Sequence, residues 1–407
     1  MKKILLLALA LLMTSCSLLY GKLGGDFDYE PSEYEKLPKH VREFIEKSYD
    51  GIDLKKLRDT HLHIVGLGNS GSGIWVNPHM KDWFNHLSKY NRFNVYMTAS
   101  GVDDESQADE QYIARLTELM RYQPHFIPAY ALAFDYHYKL DGTIDLEHSE
   151  FYVPNEYIAK VVKENPVNFK MVASIHPYRQ DALEELEKWA AQGVRFVKWL
   201  PNAMGIDPSN KKVLPFYKMM KKYDMTLISH AGEEKAVEGD KFQELGNPLR
   251  LRPALDMGID VIISHAASRG KCADLDNGGV QAECSDLFWR LFKEKKYEKN
   301  LFTDLSALII YERLSQPLIE MIENKQFHSR VMYGSDYPLP AINWIYRTTD
   351  LVEKGFITEE ERDILNEIYS INPLLFHFVA LRTVRHPKTG EKLTDEAFEM
   401  PTRLLKK

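Results

Sequence analysis

The chain has 407 residues, of which 44% are hydrophobic, and carries a formal charge of −7. That length accommodates two domains or one large barrel with insertions, and an acidic chain repels polyanions, so nothing points to nucleic acid and short runs such as Lys293 to Lys296 read as solvated helix faces. Three cysteines exclude a fold held by a cystine framework, although Cys272 and Cys284, twelve apart in one loop, are free to form a local disulfide or not.

Residues 1–15 read as an address rather than as structure. Lys2 and Lys3 precede an apolar run from Ile4 to Met13, about half of the roughly 18 residues that a spanning helix needs. The run ends in Leu12-Met13-Thr14-Ser15-Cys16, which resembles the bacterial lipobox. That resemblance implies a lipidated Cys16 and a protein anchored in the cell envelope outside the cytoplasmic membrane; Ser17 in place of a retaining aspartate favours an outer membrane. An ordinary secretory signal with an incidental cysteine is the alternative. Cleavage leaves 392 residues and removes two lysines and no acid, so the charge moves from −7 to −9. Residues 16–37, rich in glycine and acids, read as a flexible lipid-anchored tether, and residues 38–407 as one barrel domain.

A helix is expected from His40 to Tyr49. Beyond it, β-branched and aromatic runs alternate with helical segments, the pattern of βα units around a parallel sheet. Candidate strands are 57–65, 93–99, 126–134, 170–176, 195–200, 225–230, 260–265, 301–305 and 331–335, one more than an eight-stranded barrel uses. The run 126–134 is set aside because it leads into residues 135–153, where Asp141-Gly142 signals a hairpin, so an insertion is expected at about 126–153. From the fourth strand onward the strand ends fall at 198, 230, 265, 304 and 336, a spacing that suits strand plus helix plus two loops. Helices are expected at Thr358 to Ser370, with Thr358 as N-cap, and at Pro373 to Thr383. The fold expected is α/β, a (β/α)8 TIM barrel with an inserted hairpin and C-terminal helices. Gly66 to Gly71 matches a dinucleotide fingerprint but opens no helix and reads as a mobile loop over the mouth. Asp274 to Gly279 lacks the closing glutamate of a calcium loop.

Asp59-Thr60-His61-Leu62-His63 places two imidazoles on one side of a strand, where they can grip one ion. Among 14 histidines such a pair has little weight alone. Its weight comes from Lys198, His230, His265 and Asp336, each at the C-terminal end of a candidate strand, since those ends converge on one mouth of a barrel. The arrangement resembles the amidohydrolase superfamily, over roughly residues 57–340. Val197-Lys198-Trp199-Leu200-Pro201 is similar to the strand-four segment of dihydroorotase-type members. Gly334-Ser335-Asp336-Tyr337-Pro338 and Asn372-Pro373 look like the branch of aminocarboxymuconate semialdehyde decarboxylase, which often uses one metal and lacks that lysine.

The resemblance implies a divalent metal site, zinc as first choice, of one or two ions. His61, His63 and His230 are the expected ligands, with Lys198 as a carbamylated bridge and His265 on a second ion or polarising the substrate. Asp336 is the expected sixth member of the metal site and the proton acceptor for water attacking a carbonyl or phosphoryl bond, of the amide, lactone or ester class. Lys198 is otherwise turned aside to an acidic partner. Trp199, Asn202, Glu233, Arg250, Arg252 and Arg269 are candidate substrate contacts. The expected partners are a small-molecule substrate and, through the lipid, a membrane; homo-oligomerisation stays open. Two other readings stand beside hydrolysis: a metal-dependent decarboxylase, and a surface lipoprotein that binds without catalysis.

Overall fold

In the computed structural model, which describes residues 20–25, 27 and 29–407, eight short parallel strands form the centre of the molecule. They are β1 (Asp59–His63), β2 (Ala129–Leu132), β3 (Phe169–Val172), β4 (Phe196–Trp199), β5 (Thr226–Ser229), β6 (Asp260–Ile263), β7 (Leu301–Asp304) and β8 (Val331–Met332). Strands β1, β2 and β3 pair in that order, and β4 to β8 pair in sequence. Parallel bridges from Ala173 to Val197 and from Leu62 to Tyr337 join the two sets, which closes the TIM barrel. Cys16 and the segment expected to be a signal lie outside the described residues.

Side chains alternate across a strand, so every second residue faces the barrel interior. Tyr130, Leu132, Val172, Phe196, Ile228, Ile262, Phe302 and Met332 meet there, and Met400 and Leu404 close the bottom. Neighbours of the other parity, such as Leu62, Val197, Leu227 and Val261, pack outward against the helices. Strands apolar on both faces are what a helix-covered parallel sheet requires. Each fully buried aliphatic or aromatic side chain contributes roughly 1.5–3 kcal/mol.

The second strand is a correction. Ala129–Leu132 forms β2, whereas Phe93–Ala99 belongs to a helix, Leu87–Ala99. Phe93, Tyr96, Met97 and Ser100 all line one cavity, a spacing of three, four and seven that only a helix brings to one side. The hairpin does exist, with Tyr138 bridged to Ile144 around Asp141-Gly142, but it grows from the end of β2 instead of replacing it. Phe151–Tyr152 then pairs antiparallel with Trp75–Val76.

Two segments expected to be mobile are tied down. Asp109 accepts the backbone N–H groups of Leu67 and Gly68 and the hydroxyls of Ser70 and Ser72, so the glycine loop is pinned from beneath. The described part of the tether lies against the barrel. Leu23 accepts the Trp344 N–H, Phe27 packs against Tyr369, and Pro31 and Leu37 are buried. Its apolar residues outweigh the acids that suggested a free linker.

The C-terminal helices run Glu359–Ile371 and Pro373–Thr383, capped by Thr358 and Asn372. Cys272 and Cys284 form a disulfide across a small antiparallel ribbon, Lys271–Asp274 with Val280–Glu283. Asp274 is bound there by Arg290 through both oxygens. Among the described residues no helix is long and apolar enough to cross a membrane.

Candidate metal centre

The pleat that fills the barrel also aims the polar residues above that filling. Lys198, His230 and Asp304 each follow an interior residue, Phe196, Ile228 or Phe302, by two positions, so all three point up the same interior. His61 and His63 do so from β1. His265 lies three residues beyond Ile262 and would face outward on a regular strand. Left-handed backbone at His265, Ala266 and Ala267, with φ of 56°, 51° and 48°, turns it back toward the site. Asp336 is also left-handed, with φ of 61°. Such conformations cost of order 1–3 kcal/mol each in residues other than glycine and persist where the surroundings dictate them.

The groups that converge are buried and close. Asp336 Oδ1 lies 3.2 Å from His63 Nε2 and 3.4 Å from His61 Nε2, and Asp336 Oδ2 lies 3.8 Å from His265 Nε2. Lys198 Nζ is 3.0 Å from His61 Nε2 and 3.3 Å from Ser264 Oγ. The rings of His61 and His265 stack at 5.0 Å, and those of His230 and His265 stand edge to face at 5.4 Å.

Beneath them is a hydrogen-bond knot built on Asp304. Its carboxylate faces His61 Nδ1 at 3.1 Å and accepts the backbone N–H groups of His265 and Ser306 and the Ser306 hydroxyl. His265 Nδ1 faces the Ser306 carbonyl at 3.0 Å. With oxygen acceptors at both Nδ1 atoms, the tautomers of His61 and His265 that fit leave their Nε2 lone pairs toward the cavity. Sequence reasoning used residue 304 only as a strand end. Its parity with Phe302 is the signal that could have placed Asp304 in the site.

Burial shapes the charges. It pushes His63 down to about 4 against the pull of Asp336, and it holds His230 and His265 well below the usual histidine range, so these imidazoles are neutral at pH 7. Burial alone would raise Asp304 and Asp336, but the surrounding histidines hold both carboxyls well below the usual range. Burial also brings the Lys198 ammonium down to about 8, against the pull of Asp336, Asp304 and Glu234.

This donor set fits a divalent cation. Neutral imidazole nitrogens and an ionised carboxylate are its ordinary ligands. His230 Nε2 is buried with no hydrogen-bond partner among the described residues, as suits an atom that ligates an ion. Among the described residues His61, His63 and Asp336 form one ligand cluster. A second cluster, His61, His265 and Asp304, joins the Nδ1 side of those rings to the knot, where the atoms already have protein partners.

The six residues expected at the metal site, His61, His63, Lys198, His230, His265 and Asp336, lie together. The expected substrate contacts divide. Glu233 and Arg269 line a cavity of about 410 Å³ that also reaches His230, His265 and Asp336. Trp199 instead lies outside the barrel wall, donating to Ile175 and packed on Phe216 and Tyr217, because it follows Lys198 by one residue. Asn202 donates to Gly232 and Gln243, Arg250 pairs with Asp207, and Arg252 pairs with Asp276 and Glu294, none of them at that cavity. Glu234, unforeseen, is buried with Oε2 3.5 Å from His230 Nε2.

Residues 59–374 match the model of a family described as amidohydrolase. No curated protein matches the chain. Among solved structures it is similar to an uncharacterized TIM-barrel protein from Bordetella bronchiseptica, at 16% identity, covering 71% of this chain and 88% of the other, with a TM-score of 0.46. It is also similar to a probable 2-pyrone-4,6-dicarboxylic acid hydrolase from Acinetobacter baumannii (14%, 78% and 96%, 0.43). A third is 5-carboxyvanillate decarboxylase from Sphingomonas paucimobilis (10%, 84% and 96%, 0.43). Likenesses this distant carry no reaction across. The family match runs from β1, which holds His61 and His63, past Asp336 to the helix after Asn372, so it embraces every residue of the metal centre, and the chain belongs to the amidohydrolase family of enzymes.

Proposed function

We propose that this enzyme is a metal-dependent hydrolase acting on a carbonyl or phosphoryl bond of the amide, lactone or ester class, with Asp336 as the proton acceptor. The observation that supports it is the contrast between two buried carboxylates. Asp304 is saturated by protein donors, whereas among the described residues the Asp336 carboxylate faces only imidazoles and the cavity. One is a positioning group and the other is free to react.

His61, His63, His230 and Asp336 would hold the first ion, with zinc the first choice for so many imidazoles. His265 and Lys198, as a carbamate, would hold a second. A divalent ion held there polarises an oxygen of the substrate and makes water more acidic. Asp336, ionised at pH 7, takes a proton from the attacking water and returns it to the leaving group. His265, fixed through Nδ1 by Ser306, presents a neutral Nε2 beside Asp336, where it would hold that second ion or, with a single ion bound, face the bond under attack.

Asp336→Asn tests the reading, because an amide keeps the shape and a weak ligand oxygen but accepts no proton. Metal-loaded variant assayed on lactones, amides and phosphoesters is expected to lose at least about 100-fold in kcat while keeping its melting temperature. A variant within about tenfold of wild type, roughly 1.4 kcal/mol, would leave no room for an essential base.

A further inference from the structure

Three arginines line the larger cavity beside the metal centre, and two of them are committed. Arg92 grips Glu150, and Arg269 pairs with Glu233 and Glu312. The third, Arg313, from the loop after β7, is only 6% exposed. Among the described residues its Nε and Nη1 are buried without a hydrogen-bond partner and it enters no ion pair. Guanidinium groups are not left in that state unless something else completes them, because a charge removed from water needs a counter-charge. The neighbouring acids do not supply it directly. Asp336 and Glu234 are within electrostatic reach, but Asp336 faces the histidines and Glu234 accepts the N–H groups of Ala236 and Val237. The Tyr346 hydroxyl, also in electrostatic reach of Arg313, is a second buried polar atom without a partner.

An adjoining cavity, also mainly apolar in its lining, forms a second lobe. Val65, Leu67, Met80, Phe93 and Met97 line it, and it shares His230, Glu234 and His265 with the arginine lobe. The metal centre therefore lies between an apolar chamber and a buried arginine without an ion-pair partner among the described residues. We infer that Arg313 is a specificity residue that receives a carboxylate on the substrate, one not itself cleaved, while an apolar body fills the other lobe. A carboxylate fits because its two oxygens match the guanidinium fork, and because a single cation balances a single charge. The inference rests on the hydrolase reading for the identity of the reacting bond, but not for the binding.

Calorimetry on metal-loaded protein tests it with 4-phenylbutyrate, the uncharged 4-phenylbutanol and phenyl phosphate. Wild type is expected to bind the acid at least tenfold more tightly than the alcohol, and Arg313→Gln to lose that preference while Arg313→Lys keeps part of it. Equal binding of acid and alcohol by wild type, or an undiminished preference in Arg313→Gln, would overturn the assignment. Tighter binding of phenyl phosphate than of the acid would overturn the carboxylate class. Arg313→Met supplies a readout that a structural arginine would not give. Its ligand-free melting temperature is expected to equal or exceed that of wild type, since an unpaired buried charge is removed; a clear fall would assign Arg313 to the scaffold. A protein that fails every hydrolysis assay but keeps the Arg313-dependent preference would refute the reaction and leave this site standing.

Discussion

At the scale of single residues, the site separates groups that react from groups that aim them. Asp304 touches nothing in the cavity, yet it orients His61 directly and His265 through the backbone and Ser306. Carboxylates behind metal-ligating histidines typically account for 10–100-fold in affinity. Asp304→Asn is expected to weaken zinc binding by about that factor, read by competition with a chromogenic chelator; a change below about threefold would remove Asp304 from the role. Another buried histidine, His176, serves the fold. Its Nδ1 accepts the Tyr178 N–H and its Nε2 donates to the Met204 carbonyl, so only a neutral ring fits. Burial lowers it to about 3, against the Met204 carbonyl. The unfolded chain takes up this proton below about 6.5 and the folded one does not, so the group withdraws stability as pH falls from 6.5 toward 3, by roughly 1.4 kcal/mol per unit. His176→Gln can make both hydrogen bonds and does not titrate. Between pH 7 and 5 its urea unfolding midpoint should shift less than that of wild type, by about 2 kcal/mol of stability; equal shifts would contradict the assignment.

At the scale of elements, the metal centre depends on how closely β8 and its extension approach β1. His61 accepts the Asp336 N–H through its carbonyl, Thr60 donates to Tyr333, and His63 donates to Tyr337. Gly334 makes that approach possible. A Cβ there would lie 2.9 Å from His61 Cβ and 3.3 Å from Ser306 Cβ, at the roots of side chains that cannot swing aside. Gly334→Ala must push β1 from β8 by a few tenths of an ångström and spread His61 from Asp336. The expected result is a loss of about 1–3 kcal/mol in stability and a fall of at least about tenfold in kcat/KM, since misplacement by an ångström is worth about 100-fold. A variant with wild-type kinetics would show that the strand contact does not set the site.

At the scale of the whole molecule, packing and chemistry occupy opposite ends of one barrel. The bottom is closed by Met400 and Leu404, and Arg403 and Lys407 there pair with Asp260 at the base of β6. Polar residues follow two positions later on the strands, above this apolar plug. Ions that bind the folded arrangement alone must stabilise the whole barrel. Chelation is therefore expected to lower the melting temperature, with metal addition restoring it. Wild type should carry two ions per chain and Lys198→Ala fewer, partly restored by an added short carboxylate. One ion in both proteins would refute the carbamate bridge. Lys198 sits on His61 rather than on an acid, so the alternative of an acidic partner has no support in its contacts.

Much of this was legible in the chain itself. Strand parity is local, so the alternation in Asp59 to His63 and the two-residue step from Phe196 to Lys198 already place those side chains in the interior, and the same rule turns Trp199 outward. The caps at Thr358 and Asn372 are local too, and the last helices follow from them. The second strand was not legible, because residues 93–99 and 129–132 are both short apolar runs and only ring closure, with Ala129 to Leu132 paired between β1 and β3, chooses between them. Nor were Glu234 and Arg313, or the part that Asp304 plays once its parity with Phe302 has put it in the interior. Ser306 is local to Asp304, but His265 and His61, 39 and 243 residues away, reach that carboxylate only in the closed barrel, and only there is Arg313 left without an ion-pair partner among the described residues.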